Sequence, residues 1–181
     1  MRSRPMSLLT SALFLVLAPG TVAVYVPWLI TRWRSGSVPP NLAMLPMIAG
    51  GLAVAAACVL LDAFWRFAWI GRGSPAPILP TDTLVVSGFY RFVRNPMYVA
   101  VVLIILGQAA WFWRWELVAY GILIGALFHI FVTLYEEPKL DSQFGASYRR
   151  YCRHVRRWIP RMRPWDPSAP RYKTYTTQTA E

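Results

Sequence analysis

Acidic residues, cysteines and histidines are scarce in this chain. Eight Asp and Glu stand against 19 Lys and Arg, a formal net charge of +11 over 181 residues. The two cysteines are Cys58, in an apolar stretch, and Cys152, in a basic tail, so no disulfide framework is implied. The two histidines, His129 and His154, complete no zinc-binding spacing. No internal repeat is present. A high positive charge invites a nucleic-acid partner. Here, however, the basic residues are segregated from long apolar runs, at the ends and in one central loop. That pattern fits anionic lipid headgroups better than a phosphate-binding groove and argues for no nucleic-acid partner.

Apolar residues are abundant. They make up 56% of the chain, and the mean hydropathy is +0.37, high for a soluble domain. Nine each of Trp, Tyr and Phe suit a protein with two membrane interfaces to line. Four stretches satisfy the length rule for crossing a bilayer: Leu8 to Ile30, Leu42 to Leu61, Met97 to Trp113 and Leu117 to Tyr135. Pro19, Gly20 and Pro27 are expected to kink the first, which also resembles a signal peptide after Arg2 and Arg4. It has no clear Ala-x-Ala site, and its apolar character continues past Pro19, so the spanning reading is preferred. Ala and Gly positions in the second suit close helix packing. Only Arg114, Trp115 and Glu116 separate the last two, which should form a helical hairpin.

The expected fold class is therefore all-α: a polytopic membrane protein with four transmembrane helices plus a cytoplasmic amphipathic C-terminal helix. Sixteen of the 19 basic residues fall on one side of such a fold, which places both termini and the Arg66 to Pro96 loop in the cytoplasm, at the cell inner membrane. Leu140, Phe144, Tyr148, Tyr151 and Val155 recur at helical spacing along the tail, with arginines on the opposite face, as in a helix at the membrane surface. Three units follow: a helix pair over 1–65, a core over 66–160, and a tail over 161–181 whose polar, Pro-rich composition suits disorder.

Two segments put polar groups at membrane borders. Arg94-Asn95-Pro96-Met97-Tyr98 opens the third span, with Pro96 at the first turn and Asn95 at the cap. Free N–H groups there favour an anionic ligand group, although a capped helix with Arg and Tyr anchors explains the same residues. Glu136-Glu137 closes the fourth span, and a helix C-terminus disfavours negative charge. Arg91, Arg94 or a cationic ligand must compensate. A plain stop-transfer boundary would use basic residues on this side, so the acids read as a site. His129, two turns before Glu136, reads as a packing histidine.

The runs Asp82-Thr83-Leu84-Val85-Val86-Ser87-Gly88-Phe89-Tyr90 and Arg94-Asn95-Pro96-Met97-Tyr98, the pair Glu136-Glu137, Phe144-Gly145, and Tyr148, Tyr151 and Pro160 resemble the isoprenylcysteine carboxyl methyltransferase and phospholipid methyltransferase superfamily. The resemblance covers roughly Gly71 to Pro160. It implies S-adenosylmethionine as cofactor and a lipophilic substrate reached from the lipid bilayer. It places Asp82, Thr83, Leu84 and Val85 along the cofactor, Tyr90, Asn95, Pro96 and Tyr98 around it, and Glu136 at its polar end. Glu137 and Arg94 are the candidate catalytic residues, Glu137 as the base an amine acceptor would need. A lipid amine, thiol or carboxylate could each be the acceptor. Two departures stand out. Asn95 occupies a position where the family often has His, and Val132 stands where the prenylcysteine enzymes carry a substrate-holding Arg. An NADPH-dependent membrane reductase of the sterol reductase type shares the Asn-Pro-x-Tyr string and a following acid, and is the rival enzyme class. A non-enzymatic membrane module with the same fold is the third reading.

Overall fold

The computed structural model describes residues 16–70 and 84–167. Asp82 and Thr83 lie outside the described residues. Every regular element within them is helical. Helix α1 (Val16–Thr31) leads through a 3-10 turn at Pro40–Leu42 to α2 (Leu45–Ile70). A second 3-10 turn, Gly88–Arg91, precedes α3 (Pro96–Trp111). Helix α4 (Trp115–Phe131) continues through a π-helical turn, Val132–Glu136, into α5 (Glu137–Phe144), and α6 (Ala146–His154) follows.

Two of these stretches, Pro40–Arg66 and Trp115–Phe144, are long and apolar enough to cross a membrane. Val16–Thr31 and Pro96–Trp111 are apolar but shorter. At 16 residues α3 rises only about 24 Å, below the roughly 30 Å of a hydrocarbon core. The long helices leave much of their apolar surface uncovered: Leu52 and Val54 on α2 and Ile122 and Leu134 beyond it are each more than 60% exposed. Apolar patches of that extent mark a surface that meets lipid or protein.

The core forms where α1, α2, α3 and α4 meet, around Ala23, Leu60, Phe64, Ala100, Ile105 and Ile124. Small residues set the α2–α3 spacing. A Cβ on Gly107 would stand 2.6 Å from that of Ala53, and one on Gly50 would overlap the Trp111 ring. The apolar patterning of both helices thus ends in close backbone approach, as expected where lipid supplies no driving force of its own.

Helix α1 is π-helical over Val16–Tyr25, with Pro19 inside it. Pro27 has no N–H to give to the carbonyls one turn before it. Those carbonyls are served from elsewhere: the Gln108 side chain donates to Ala23 O at 2.6 Å, and the Tyr120 hydroxyl donates to Val22 O at 3.0 Å. In an apolar surrounding such groups must be satisfied within the protein. The two bonds therefore pin α1 to the α3–α4 hairpin. At the turn of the hairpin, close by, the Gly36 N–H donates to Phe112 O at 2.8 Å, and Trp113 turns the chain with φ +54°.

Three expectations change in detail. Helix α2 does not stop near Leu61 but runs on to Ile70, because Asp62 and Arg66 pair one turn apart at 2.8 Å. The fourth apolar helix does not end at Tyr135. Pro138 withholds the N–H owed to Leu134 O, the ladder slips to a π turn in which the Glu137 N–H donates to Val132 O, and helix resumes to Phe144. The tail is two short helices, broken at Gly145 with φ +49°, in place of one. Its apolar face nevertheless survives the break. Tyr148, Tyr151 and Val155 are buried together against Leu140, Phe144, Leu84 and Val86.

Candidate functional site

Antiparallel packing of α3 on α4 brings the start of one to the end of the other. The Tyr98 hydroxyl, in the first turn of α3, donates to Glu136 Oε2 at 2.8 Å. Its ring lies against Phe128, with centroids 4.7 Å apart. Next to this pair an apolar cavity of about 320 Å³ opens among the four helices. Leu60 and Phe64 from α2, Met97 and Val101 from α3, and Phe128 and Phe131 line it, and among the described residues Tyr98 is its one hydroxyl-bearing wall residue. The site thus has a polar end built from an acid and a phenol, and an apolar chamber leading away from it.

Glu137, one residue on, is held differently. Arg157 grips it with two prongs, Nε to Oε1 at 2.6 Å and Nη2 to Oε2 at 2.8 Å, and Arg94 stands 3.2 Å from Oε1. The hydrogen bond to Glu137 pushes the Arg157 guanidinium above its already high range. Arg94 also reaches Cys152 Sγ at 2.7 Å. Two guanidiniums therefore compensate Glu137, the second of the paired acids. Arg94 is one of them. Arg91 is not, since its Nε donates to the Trp165 carbonyl at 2.6 Å.

The tail straps this arrangement down. The Arg94 N–H donates to Arg156 O, Asn95 Nδ2 to Arg157 O at 3.2 Å, the Arg161 N–H to Phe92 O, and the Trp165 N–H to Arg91 O. Arg161 and Trp165 belong to the segment whose composition suits disorder, yet both are docked. The Tyr151 hydroxyl donates to Tyr90 O at 2.7 Å. Trp158 donates its indole N–H to His129 Nδ1 at 3.1 Å, so His129 serves the strap.

Of the residues singled out in the sequence, Asn95, Pro96, Tyr98, Glu136, Glu137 and Arg94 come together at one end of the hairpin. Pro96 is fully buried at the first position of α3. Asn95 precedes it but turns its amide to the tail, without bonding the helix N-terminus. Val85 and Tyr90 are buried with Ala63 one layer away, and Leu84 packs against the tail. Burial pushes the Tyr90 phenol well above its usual range, reinforced by Tyr151, Glu136, Tyr98 and Asp62. Asp62, on α2, pairs with Arg66 at 2.8 Å. Gly88, with φ +54°, makes room there, because a Cβ would overlap the Arg66 guanidinium. Asp62, Arg157 and the Trp158–Trp165 strap escaped the sequence reading. The demand for a cation beside the acids was legible, but nothing in the spacing chose Arg157, 20 residues beyond Glu137.

Val132 is buried at 1% exposure within the π turn. It offers no charge to a substrate carboxylate.

The chain is 39% identical over 64 residues to an uncharacterized protein of Haemophilus influenzae, a match covering 35% of this chain and all of that protein. Residues 43–147 match the phospholipid methyltransferase family, from the start of α2 to α6 and including Tyr98, Glu136 and Glu137. With more than half of its length so matched, the chain belongs to the phospholipid methyltransferase family.

Proposed function

We propose that this protein is an integral membrane methyltransferase that uses S-adenosylmethionine to methylate a lipophilic acceptor. The observation that carries the reading is the Tyr98–Glu136 pair at 2.8 Å, opening onto an apolar chamber of about 320 Å³. The residues suit the cofactor. Glu136 and the Tyr98 and Tyr90 rings supply negative charge and π faces for a cation. The Ser87 hydroxyl is buried with no hydrogen-bond partner among the described residues, so it has a bond to give. Leu84 and Val85 would offer backbone along the cofactor, with Asp82 and Thr83 before them. When bound, the cofactor supplies a methyl group on a sulfonium, transferred by in-line displacement to a nucleophile's lone pair.

The chain's own contribution is alignment and exclusion of water. Glu136 and Tyr98 hold the cationic reactant, while the chamber seats the apolar part of the acceptor with its reacting group toward Tyr98. Arg94 and Arg157 occupy both Glu137 oxygens, which favours a positioning role for Glu137 over that of a base. A thiolate or carboxylate acceptor needs no base, whereas an amine would have to lose its proton to Glu136 or to solvent. Val132 argues against a prenylcysteine carboxylate, because a buried apolar wall cannot pair with it.

The same reading completes the topology. All four apolar helices span, α3 being lengthened by its flanking aromatic turns, with the strap and both termini on the cytoplasmic side of the inner membrane. The family match favours methyl transfer over the NADPH-dependent reductase. Thermal unfolding of the detergent-purified protein with each cofactor tests the proposal. Stabilisation by S-adenosylmethionine and none by NADPH is expected, and the reverse would overturn it.

A further inference from the structure

We infer that the groove on the outer side of α2 and α3 is a second lipid site, selective for an anionic glycerophospholipid and separate from the chamber beside Tyr98. Helix α3 presents two stripes. Met97, Tyr98 and Val101 face the chamber. Pro96, Val99 and Leu103, at helical spacing, face a different cavity of about 240 Å³. Ala56 and Val59 of α2 form its other wall, and Pro160 of the strap closes one end. Among the described residues every lining residue is apolar, so the cavity suits an acyl chain.

Charge is concentrated at the closed end. Arg91 adjoins Phe92, Arg161 adjoins Pro160, and the Arg161 N–H donates to Phe92 O at 2.9 Å. Both arginine side chains therefore leave the backbone at this end of the groove. Their hydrogen bonds go to neutral carbonyls, Arg91 Nε to Trp165 O at 2.6 Å and Arg161 Nη1 to His154 O at 2.7 Å. Those bonds consume one donor each and leave the positive charge in place. An apolar groove between helices with arginines at its cytoplasmic end has the chemistry of an anionic-lipid headgroup site. The same end is made of Phe89, Phe92 and Val93, which share a segment with Tyr90, Arg94 and Asn95. A lipid seated there stiffens the loop that lines the methyl-transfer site without entering it.

The test is lipid retention, which does not depend on the methyltransferase reading. Native mass spectrometry of the full chain, released from detergent micelles holding equal phosphatidylglycerol and phosphatidylcholine, should show preferential retention of phosphatidylglycerol. Arg91→Gln and Arg161→Gln should each reduce that preference roughly fivefold, the equivalent of about 1 kcal/mol per arginine near a headgroup. Arg91→Lys should keep it, and Arg34→Gln, beyond the far end of α1, should not alter it. Leu103→Trp, at a half-exposed rim position that tolerates bulk, should fill the groove and lower retention of both lipids. Equal retention of the two lipids, or a preference untouched by the arginine variants, would overturn the headgroup assignment. Undiminished retention in Leu103→Trp would overturn the groove.

Discussion

Breaking the Arg157–Glu137 clasp should loosen the site without unfolding the bundle. The clasp has two prongs, at 2.6 and 2.8 Å, and its side chains are 31% and 18% exposed. It is thus neither a surface pair, worth about 0.2–1 kcal/mol, nor a fully buried one, whose disruption costs about 3–5 kcal/mol. Solvent screening at Arg157 puts Arg157→Ala at about 1–2 kcal/mol. Arg94, 3.2 Å from the same carboxylate, limits the damage by keeping Glu137 paired. At about 2–4 °C per kcal/mol for a chain of this size, the melting temperature should fall by roughly 2–8 °C. The Arg157 carbonyl still accepts from Asn95, so the strap stays docked. S-adenosylmethionine affinity should drop several-fold, because Glu137 adjoins Glu136, the acid proposed to hold the cofactor. A double-mutant cycle with Glu137→Gln, read by calorimetry and thermal unfolding, checks this. Coupling of about 1 kcal/mol or more is expected. Additivity within about 0.3 kcal/mol would show that the two residues merely lie side by side.

Glu136→Gln should weaken S-adenosylmethionine binding by roughly tenfold to a hundredfold, from the about 1.5–3 kcal/mol of a charged hydrogen bond, while Tyr98→Phe should cost about fivefold; calorimetry on both distinguishes a binding acid from a structural one. Gln108→Leu strands the Ala23 carbonyl in an apolar core and should destabilise by about 1–3 kcal/mol, with α1 becoming the first segment cleaved in limited proteolysis. Gly107→Val drives a side chain into Ala53 and should cost at least about 1–3 kcal/mol, seen as a lower melting temperature in detergent. Reporter fusions at Glu181 and near Ser37 should give cytoplasmic and external readouts respectively, and the opposite pattern would reverse the proposed orientation.

How much of this was written in the residues differs by element. The hairpin was legible because three residues between two apolar runs leave no other connection, and Pro96 marks a helix start whatever its surroundings. The tail's apolar face was legible through its spacing, even though Gly145 splits the helix, since Tyr148 and Tyr151 still land on the same side as Leu140 and Phe144. The π turn was hidden. Pro138 announces a missing donor, but whether the chain stops or slips by one residue depends on what packs around Val132. The strap was hidden for a related reason. An arginine-rich, Pro-containing segment looks solvated by composition, and only the folded loop offers the Phe92 and Arg91 carbonyls that capture it. Asp62 looked like the end of a span, because its partner Arg66 was counted as the start of a loop.

The strap also sets a time order. Arg91 and Trp165 lie 74 residues apart, and the bonds between them close the site. A ribosome adding about 5–20 residues per second takes several seconds to cover that distance. In the last part of that interval, once residue 137 has been passed, the apolar hairpin has been made, yet Glu137 still waits for Arg157 and the loop for its clamp. The loop and Glu137 have all of these partners only when the last part of the described chain has been made.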